Sequence, residues 1–255
     1  MIFWKYQGTG NDFIVMDNRS SEILLGASEI QSMCDRKFGV GADGVILIEK
    51  DNNTDFYMNF YNPDGSQSFC GNGSRCAVKF VLDQHIVLHE KITFQAIDGF
   101  HEARVTDKIE IKMKDVRSVT RKSDNRYFVN TGSPHVIELC DQLPMDIVFL
   151  GSSIRYSDEY APDGTNVNFL VSNSKGEIAI RTYERGVENE TLSCGTGVTA
   201  SALVYASMHE DMSEIQVQTK GGLLWVTCEK QNDGFSNVWL KGPAEFVFKG
   251  EWNEK

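Results

Sequence analysis

Apolar and polar residues alternate over short stretches through most of the chain. In Phe56-Tyr57-Met58-Asn59-Phe60-Tyr61 the residues Phe56, Met58 and Phe60 fall on one face, the period-two pattern of a half-buried strand. The same reading predicts strands over residues 45–49, 56–61, 92–97, 109–113, 178–184, 215–219, 223–228 and 238–241. Apolar residues three and four apart, as in Ile30, Met33 and Cys34 or Cys76 and Phe80, predict helices instead. Three such helices are expected, starting near Ser28, Asn72 and Thr196. Turn chemistry at Asn62-Pro63-Asp64-Gly65, Asp163-Gly164, 173–176 and 231–234 separates the elements. The expected class is therefore α/β (α+β), rich in sheet.

One pattern occurs twice. Cys70-Gly71-Asn72-Gly73 opens one predicted helix and Cys194-Gly195-Thr196-Gly197 opens another, each after a strand. A spacing this long points to a duplicated domain rather than a solenoid, whose repeats run about 20–50 residues. The division is expected at 1–117, carrying Cys70, and 118–255, carrying Cys194.

Composition narrows the function classes. The 255 residues are 41% hydrophobic and 24% charged with 5 prolines, an ordinary globular balance with no long disordered tract. The formal net charge of -11 repels phosphate backbones and anionic lipid, so neither nucleic acid nor a membrane is an expected partner. The amino terminus has no basic segment followed by a long apolar stretch, and the expected location is cytoplasmic. There the 6 cysteines are expected as reduced thiols. No Cys-x-x-Cys or Cys/His cluster suggests a metal, and neither glycine motif has nucleotide-loop spacing.

A cysteine at the first position of a helix lies at the positive end of the macrodipole, which favours its thiolate and makes it a usable base. The following glycines let bare N–H groups approach an anion such as a carboxylate. Two such turns can grip one carboxylate while their thiols address the adjacent carbon, one removing a proton and the other returning one. A single cysteine before glycines is more often a small buried hydrophobe. Two matched copies favour catalysis, whereas Cys34, Cys140 and Cys228 lack such a setting and Cys76 lies farther along its helix, where packing is expected.

At this point the chain resembles the diaminopimelate epimerase family over nearly its whole length. The resemblance is carried by Gly8-Thr9-Gly10-Asn11-Asp12-Phe13, by Cys70-Gly71-Asn72-Gly73-Ser74-Arg75-Cys76, and by Glu184-Arg185-Gly186 ahead of Glu190-Thr191-Leu192-Ser193-Cys194-Gly195-Thr196-Gly197. It implies two pseudo-symmetric halves, each a mostly antiparallel sheet wrapped around a central helix, with the active site in the cleft between them. The last strand, about 244–255, is expected to return to the N-terminal half. It also implies a homodimer, no cofactor and no metal, and conversion of L,L-2,6-diaminopimelate to the meso isomer in lysine biosynthesis. The substrate is thus a small diamino-dicarboxylate.

By position, Cys70 and Cys194 become the acid/base pair, and the backbone of Gly71, Asn72, Gly195 and Thr196 holds the reacting carboxylate, with Asn11 lining the same pocket. Asn62, Asn166 and Arg185 match positions for the second carboxylate, and Glu184 matches one for the second amine. His135 and Ser133 enter as supporting residues. A planar Arg fork suits a fixed carboxylate, although Arg185 also has Glu184 and Glu188 nearby for an ordinary ion pair. Many family members carry Gln in place of Gly44 and Asn in place of Ser133. The competing readings are a racemase of the proline racemase kind, a thiol redox protein switching a Cys70–Cys194 disulfide, and a non-catalytic amino-acid binding protein.

Overall fold

The computed structural model describes residues 1–210 and 212–253. The chain divides into two compact units, one of Met1–Ile111 with Gly242–Lys255 and one of Lys112–Lys241. Residues 112–116, assigned from sequence to the first half, bond within the second unit. Met113 N–H donates to Val238 O (2.9 Å), and Val116 and Phe235 exchange backbone hydrogen bonds of 2.8 and 2.7 Å.

Neighbouring strands of the first unit run Glu245–Glu251, Ile2–Gly8, Asn11–Asp17, Gly44–Glu49, Phe56–Tyr61, Lys91–Ala96, Gly99–Val105 and Ile109–Lys112. Those of the second run Thr120–Arg121, Arg126–Asn130, Pro134–Leu139, Asn166–Ser174, Glu177–Glu184, Glu214–Thr219, Gly222–Lys230 and Phe235–Gly242. In both units the successive pairings are antiparallel, antiparallel, parallel, antiparallel, parallel, antiparallel and antiparallel. The two Cys-Gly-x-Gly turns are therefore one part of a duplication that extends to the whole hydrogen-bonding order. The segment expected to return to the N-terminal half pairs with Ile2–Gly8; its last residues, 254 and 255, lie outside the described residues.

A parallel pair cannot be closed by a tight turn and needs a crossover, usually a helix. Each of the four parallel pairings has one: Ala27–Cys34 and Gly71–Asp83 in the first unit, Ile147–Arg155 and Gly195–Met208 in the second. The second helix of each unit is the central one. On Gly71–Asp83 the residues Cys76, Ala77, Phe80 and Val81 pack with Tyr6, Phe13, Ile46, Met58 and Phe94. On Gly195–Met208 every residue from Gly197 to Ala206 is buried, with Val198, Leu203 and Val204 against Val129, Ile137, Leu170 and Leu224. A helix apolar on all sides belongs inside a core. The other two helices are peripheral, covering Ile14, Met16 and Leu47 in one unit and Val167, Phe169 and Tyr183 in the other. Strand Gly44–Glu49 is consequently buried on both faces, and Phe56–Tyr61 alternates as its sequence predicts.

Candidate active site

Both motif cysteines are the N-cap residues of the central helices, in extended backbone (φ -129°, ψ 113° for Cys70; φ -108°, ψ 109° for Cys194). The sulfur of Cys70 takes the part usually played by a serine oxygen, accepting from Gly73 N–H at 3.4 Å. Each helix therefore turns its first, unsatisfied N–H groups and its positive end toward its own thiol. A Cβ on Gly71 would meet nothing within 4 Å, so the approach to that helix start is open. Burial raises the other thiols, Cys34 and Cys228 to about 11 and Cys76 and Cys140 above the ordinary range.

In the first unit Cys70 Sγ faces Asn11 Oδ1 at 3.8 Å, and the same oxygen accepts from Asn72 Nδ2 (3.2 Å). Asn11 Nδ2 donates to Asp43 Oδ2 at 2.5 Å, which fixes the amide with its oxygen toward the thiol. Arg36 bridges Asp43 (2.6 Å) and Asp12 (2.7 Å), and Lys5 also pairs with Asp12 (2.7 Å). Asn11 is placed by the hairpin before it: Thr9 and Gly10 have φ 53° and 82°, the conformation of a two-residue turn with both central residues left-handed. A threonine is strained there. It is held by Thr9 Oγ1 donating to Gly8 O (2.7 Å) and by Arg75 Nη2 donating to Thr9 Oγ1 (3.2 Å).

Arg75, which follows Cys70 within the same motif, also belongs to the site. It is completely buried. Its Nη2 also donates to Asn72 Oδ1 (2.9 Å) and its Nε to Pro243 O (3.2 Å), while Nη1 has no partner. Asn72 is thereby oriented at the helix start beside Cys70. The available signal was an arginine at an inward helical position, between the buried Ser74 and Cys76.

Burial alone would raise the Asp12 carboxyl, but hydrogen bonds and charges from Arg36 and Lys5 outweigh it and hold it at about 2. A carboxyl depressed in the fold contributes stability that is complete above its unfolded value near 3.9 and is lost as pH falls toward 2. Asp12→Asn is expected to flatten the acid limb of the stability profile, from about pH 4 down to about pH 2, in urea titrations. An unchanged limb would contradict the assignment.

In the second unit Cys194 is 8% exposed. Its Sγ lies 3.5 Å from Thr196 Oγ1, which lies 3.0 Å from His135 Nε2. His135 is completely buried, and burial, with a smaller effect of the Arg185 charge, lowers it to about 3, so the imidazole is neutral. Burial raises the Glu184 carboxyl, opposed in part by hydrogen bonds with Thr191 and Cys194. Asn166 is 3% exposed and committed inside the unit: Nδ2 donates to Ser133 Oγ (2.8 Å) and Pro134 O (2.9 Å), and Oδ1 accepts from Arg185 N–H (2.9 Å). It is thus placed to fix the backbone of Arg185. The ion pair considered for Arg185 is not formed among the described residues; Glu188 pairs with Arg155 (3.2 Å), and Arg185 Nη1 donates to Asp163 O (3.2 Å). Asn62, in the first unit, donates from Nδ2 to Ser66 Oγ (3.0 Å) and Ser68 Oγ (3.1 Å).

Two glycines follow from packing. A Cβ on Gly44 would lie 2.3 Å from Phe60 Cε2 and 2.6 Å from Tyr61 O, so a glutamine at this position has no room here. A Cβ on Gly197 would lie 2.4 Å from Asn168 Oδ1 and 3.3 Å from His135 Cε1. Gly197→Ala is expected to cost about 1–3 kcal/mol by overpacking, read as a lower urea midpoint. A native midpoint would show that this contact relaxes freely.

Among the described residues no group of His, Cys, Asp and Glu is arranged to hold a metal ion, and no helix is long and apolar enough to cross a membrane.

The fold belongs to a wider class. A crystal structure of the Bacillus anthracis phenazine biosynthesis protein, PhzF family, matches with TM-score 0.78 at 14% identity, over 100% of this chain and 99% of that one. A probable proline racemase from Agrobacterium radiobacter matches with TM-score 0.70 at 14% identity, over 100% and 93%. At that identity these likenesses concern the fold alone. The sequence is more specific: the chain belongs to the diaminopimelate epimerase family, whose model matches residues 3–119 and 127–247. It is 49% identical to a diaminopimelate epimerase of Flavobacterium psychrophilum over 98% of this chain and 99% of the relative. The value is 41% for one from Hydrogenobaculum, over 98% of each.

Proposed function

We propose that the chain interconverts L,L- and meso-2,6-diaminopimelate without a cofactor, as a cytoplasmic step of lysine biosynthesis. The observation that carries the reading is a cysteine capping the buried central helix in each of two units of identical strand order, within a chain of this family. One thiolate takes the α-proton and becomes a thiol. The electron pair left on carbon spreads into the adjacent carboxylate, where backbone N–H groups of Gly71, Asn72, Gly195 and Thr196 stabilise the developing charge. The other thiol gives its proton to the opposite face and becomes the thiolate, so charge balances and configuration inverts.

Asn11 orients the thiol of Cys70. Asn62 and Arg185 hold the second carboxylate, with Asn166 fixing the Arg185 backbone beside Ser133, and Glu184 meets the second amine. His135 supports Cys194. A homodimer is part of the reading, supported by strand Glu245–Glu251, which exposes Phe246, Val247 and Phe248.

The test is incubation of the reduced protein with L,L-diaminopimelate and a chelator, with proline in parallel, followed by chiral chromatography. Appearance of the meso isomer is expected. Racemisation of proline with diaminopimelate untouched would overturn the substrate and favour the smaller-substrate reading.

A further inference from the structure

Two arginines of the second unit converge on one carbonyl. Arg185 Nη1 donates to Asp163 O at 3.2 Å, and Arg155 Nη1 donates to the same oxygen at 3.4 Å. Gly164, the next residue, has φ 67°, and a Cβ there would run into Arg155 Nη1, so the turn needs glycine to admit the guanidinium. Arg155 ends helix Ile147–Arg155 and lies over the Tyr156 ring, 4.8 Å from its centre, with its side chain 13% exposed.

A carboxylate shares this corner. Glu188 follows Arg185 by three residues, and its N–H closes the turn by donating to Glu184 O (2.8 Å). At that spacing a glutamate and an arginine are within ion-pair reach on one turn of chain. Glu188 is instead taken by Arg155, whose Nε (3.3 Å) and Nη2 (3.2 Å) both donate to its Oε1. The same oxygen accepts from Gly186 N–H (3.0 Å), and Oε2 accepts from Tyr183 Oη (2.9 Å). Burial raises the Glu188 carboxyl, but hydrogen bonds from Gly186, Tyr183 and Tyr156, with the Arg155 charge, outweigh it and keep the group ionised. Glu188 also has φ 56°. A non-glycine residue is strained there and stays so only where its surroundings over-determine it, as these donors do.

We infer that Arg155 is a positioning residue that sequesters Glu188 and so keeps the Arg185 guanidinium available to a carboxylate from outside the chain. Asn166 and Glu188 accept from the consecutive N–H groups of Arg185 (2.9 Å) and Gly186 (3.0 Å), so the turn that presents Arg185 is fixed at both peptide units. Arg155, Glu188 and Arg185 together carry one net positive charge. Without Arg155 that charge is cancelled, and without Glu188 it doubles. If the Arg155–Glu188 pair only braced the helix end, losing Arg155 and losing both partners would have the same consequence.

For the substrate this rests on the reading above, in which Arg185 meets the second carboxylate, but the sequestration itself is read without turnover. Phenylglyoxal modifies unpaired guanidiniums, and its reaction at Arg185 is followed by mass spectrometry of the peptide that carries it. Arg155→Met is expected to slow this modification about fivefold, the worth of an exposed ion pair formed with Glu188, and Arg155→Met combined with Glu188→Gln to restore the native rate. With L,L-diaminopimelate, Arg155→Met is expected to raise KM about 10-fold with little change in kcat, since one unit charge beside the bound carboxylate is cancelled. Glu188→Gln keeps acceptors for Gly186 and Tyr183 and is expected to leave KM native or lower it, and the double variant to return KM to the native value. Should Arg155→Met fail to fold, Arg155→Lys keeps the charge and is expected to show native KM; a 10-fold rise there would overturn the assignment. A double variant as impaired as Arg155→Met, or native KM in Arg155→Met, also overturns it. The expected pattern of Arg185 modification in a protein that leaves diaminopimelate unchanged would refute the proposed function and leave the sequestration standing. Epimerisation with Arg185 modified at the native rate in Arg155→Met would do the reverse.

Discussion

Replacing either Cys70 or Cys194 by alanine is expected to reduce epimerisation by about 10²- to 10⁴-fold, the usual worth of a positioned acid or base. The two variants should fail differently. Each keeps one thiol, which can still exchange an α-proton with solvent from one face but cannot deliver a proton to the other. In D2O each variant is therefore expected to introduce deuterium into one stereoisomer with retention, and the favoured isomer should switch between variants. The helices that the cysteines cap stay packed by Phe80, Val81, Leu203 and Val204, so circular dichroism and melting should be close to native. A redox protein would lose thiol exchange in both variants and exchange no α-proton in either. A single variant that still inverts the substrate would rule out the two-thiol mechanism.

Arg75→Met is expected to reduce kcat/KM about 10- to 100-fold, with relief of the unpaired buried charge offsetting part of the about 1–3 kcal/mol lost at each acceptor left unsatisfied. The guanidinium is completely buried and forms no ion pair among the described residues; its partners Asn72, Thr9 and Pro243 are neutral, and Nη1 has none. Burial works against its charge, and the neighbouring Cys76 and Cys70 work in its favour. Replacing a whole buried ion pair by apolar side chains of similar volume is often neutral or stabilising, whereas removing a donor alone leaves its buried acceptors unsatisfied. A charge kept at such cost at the start of a catalytic helix is explained by what it holds: the amide of Asn72, the strained Thr9, and through both the setting of Asn11 and Cys70. Methionine fills the space without the donors. A large loss of stability with native kcat/KM would show Arg75 to be structural, and kinetics paired with thermal melts separate the two cases.

Much of this was legible in the chain because the relevant patterns are local. Phe56–Tyr61 alternates visibly because one face packs on the central helix and the other is only half covered. The helices at 27–34, 71–83 and 195–208 show periodicity or a Cys-Gly start. Strands Asn11–Asp17, Pro134–Leu139 and Asn166–Ser174 were not predicted, since stretches buried on both faces lose the alternation that identifies a strand. Helix Ile147–Arg155 was missed as well; it leaves Val148, Phe149 and Leu150 exposed, so its apolar residues do not form a clean stripe.

At the site, motif position located both cysteines at their helix starts, but partners distant in sequence were out of reach. Asp43 orients Asn11, Asn168 orients His135, and Arg75 orients Asn72. Each of these pairings depends on strand register or helix phase rather than on spacing. Asn166 and Asn168 carried a faint signal, two amides on one face of a strand that alternate with Val167 and Phe169 on the other. The meaning of that signal depends on which strand lies beside it.

The most direct test of the central claim is a single incubation in D2O of reduced native protein with L,L-diaminopimelate, following α-deuterium by NMR and stereochemistry by chiral chromatography in the same samples. Two thiols serving opposite faces predict that early meso product carries solvent deuterium at the inverted carbon while remaining L,L substrate is still largely protiated. Meso product that retains the substrate's own hydrogen, or deuterium that accumulates in L,L substrate without inversion, would contradict the claim.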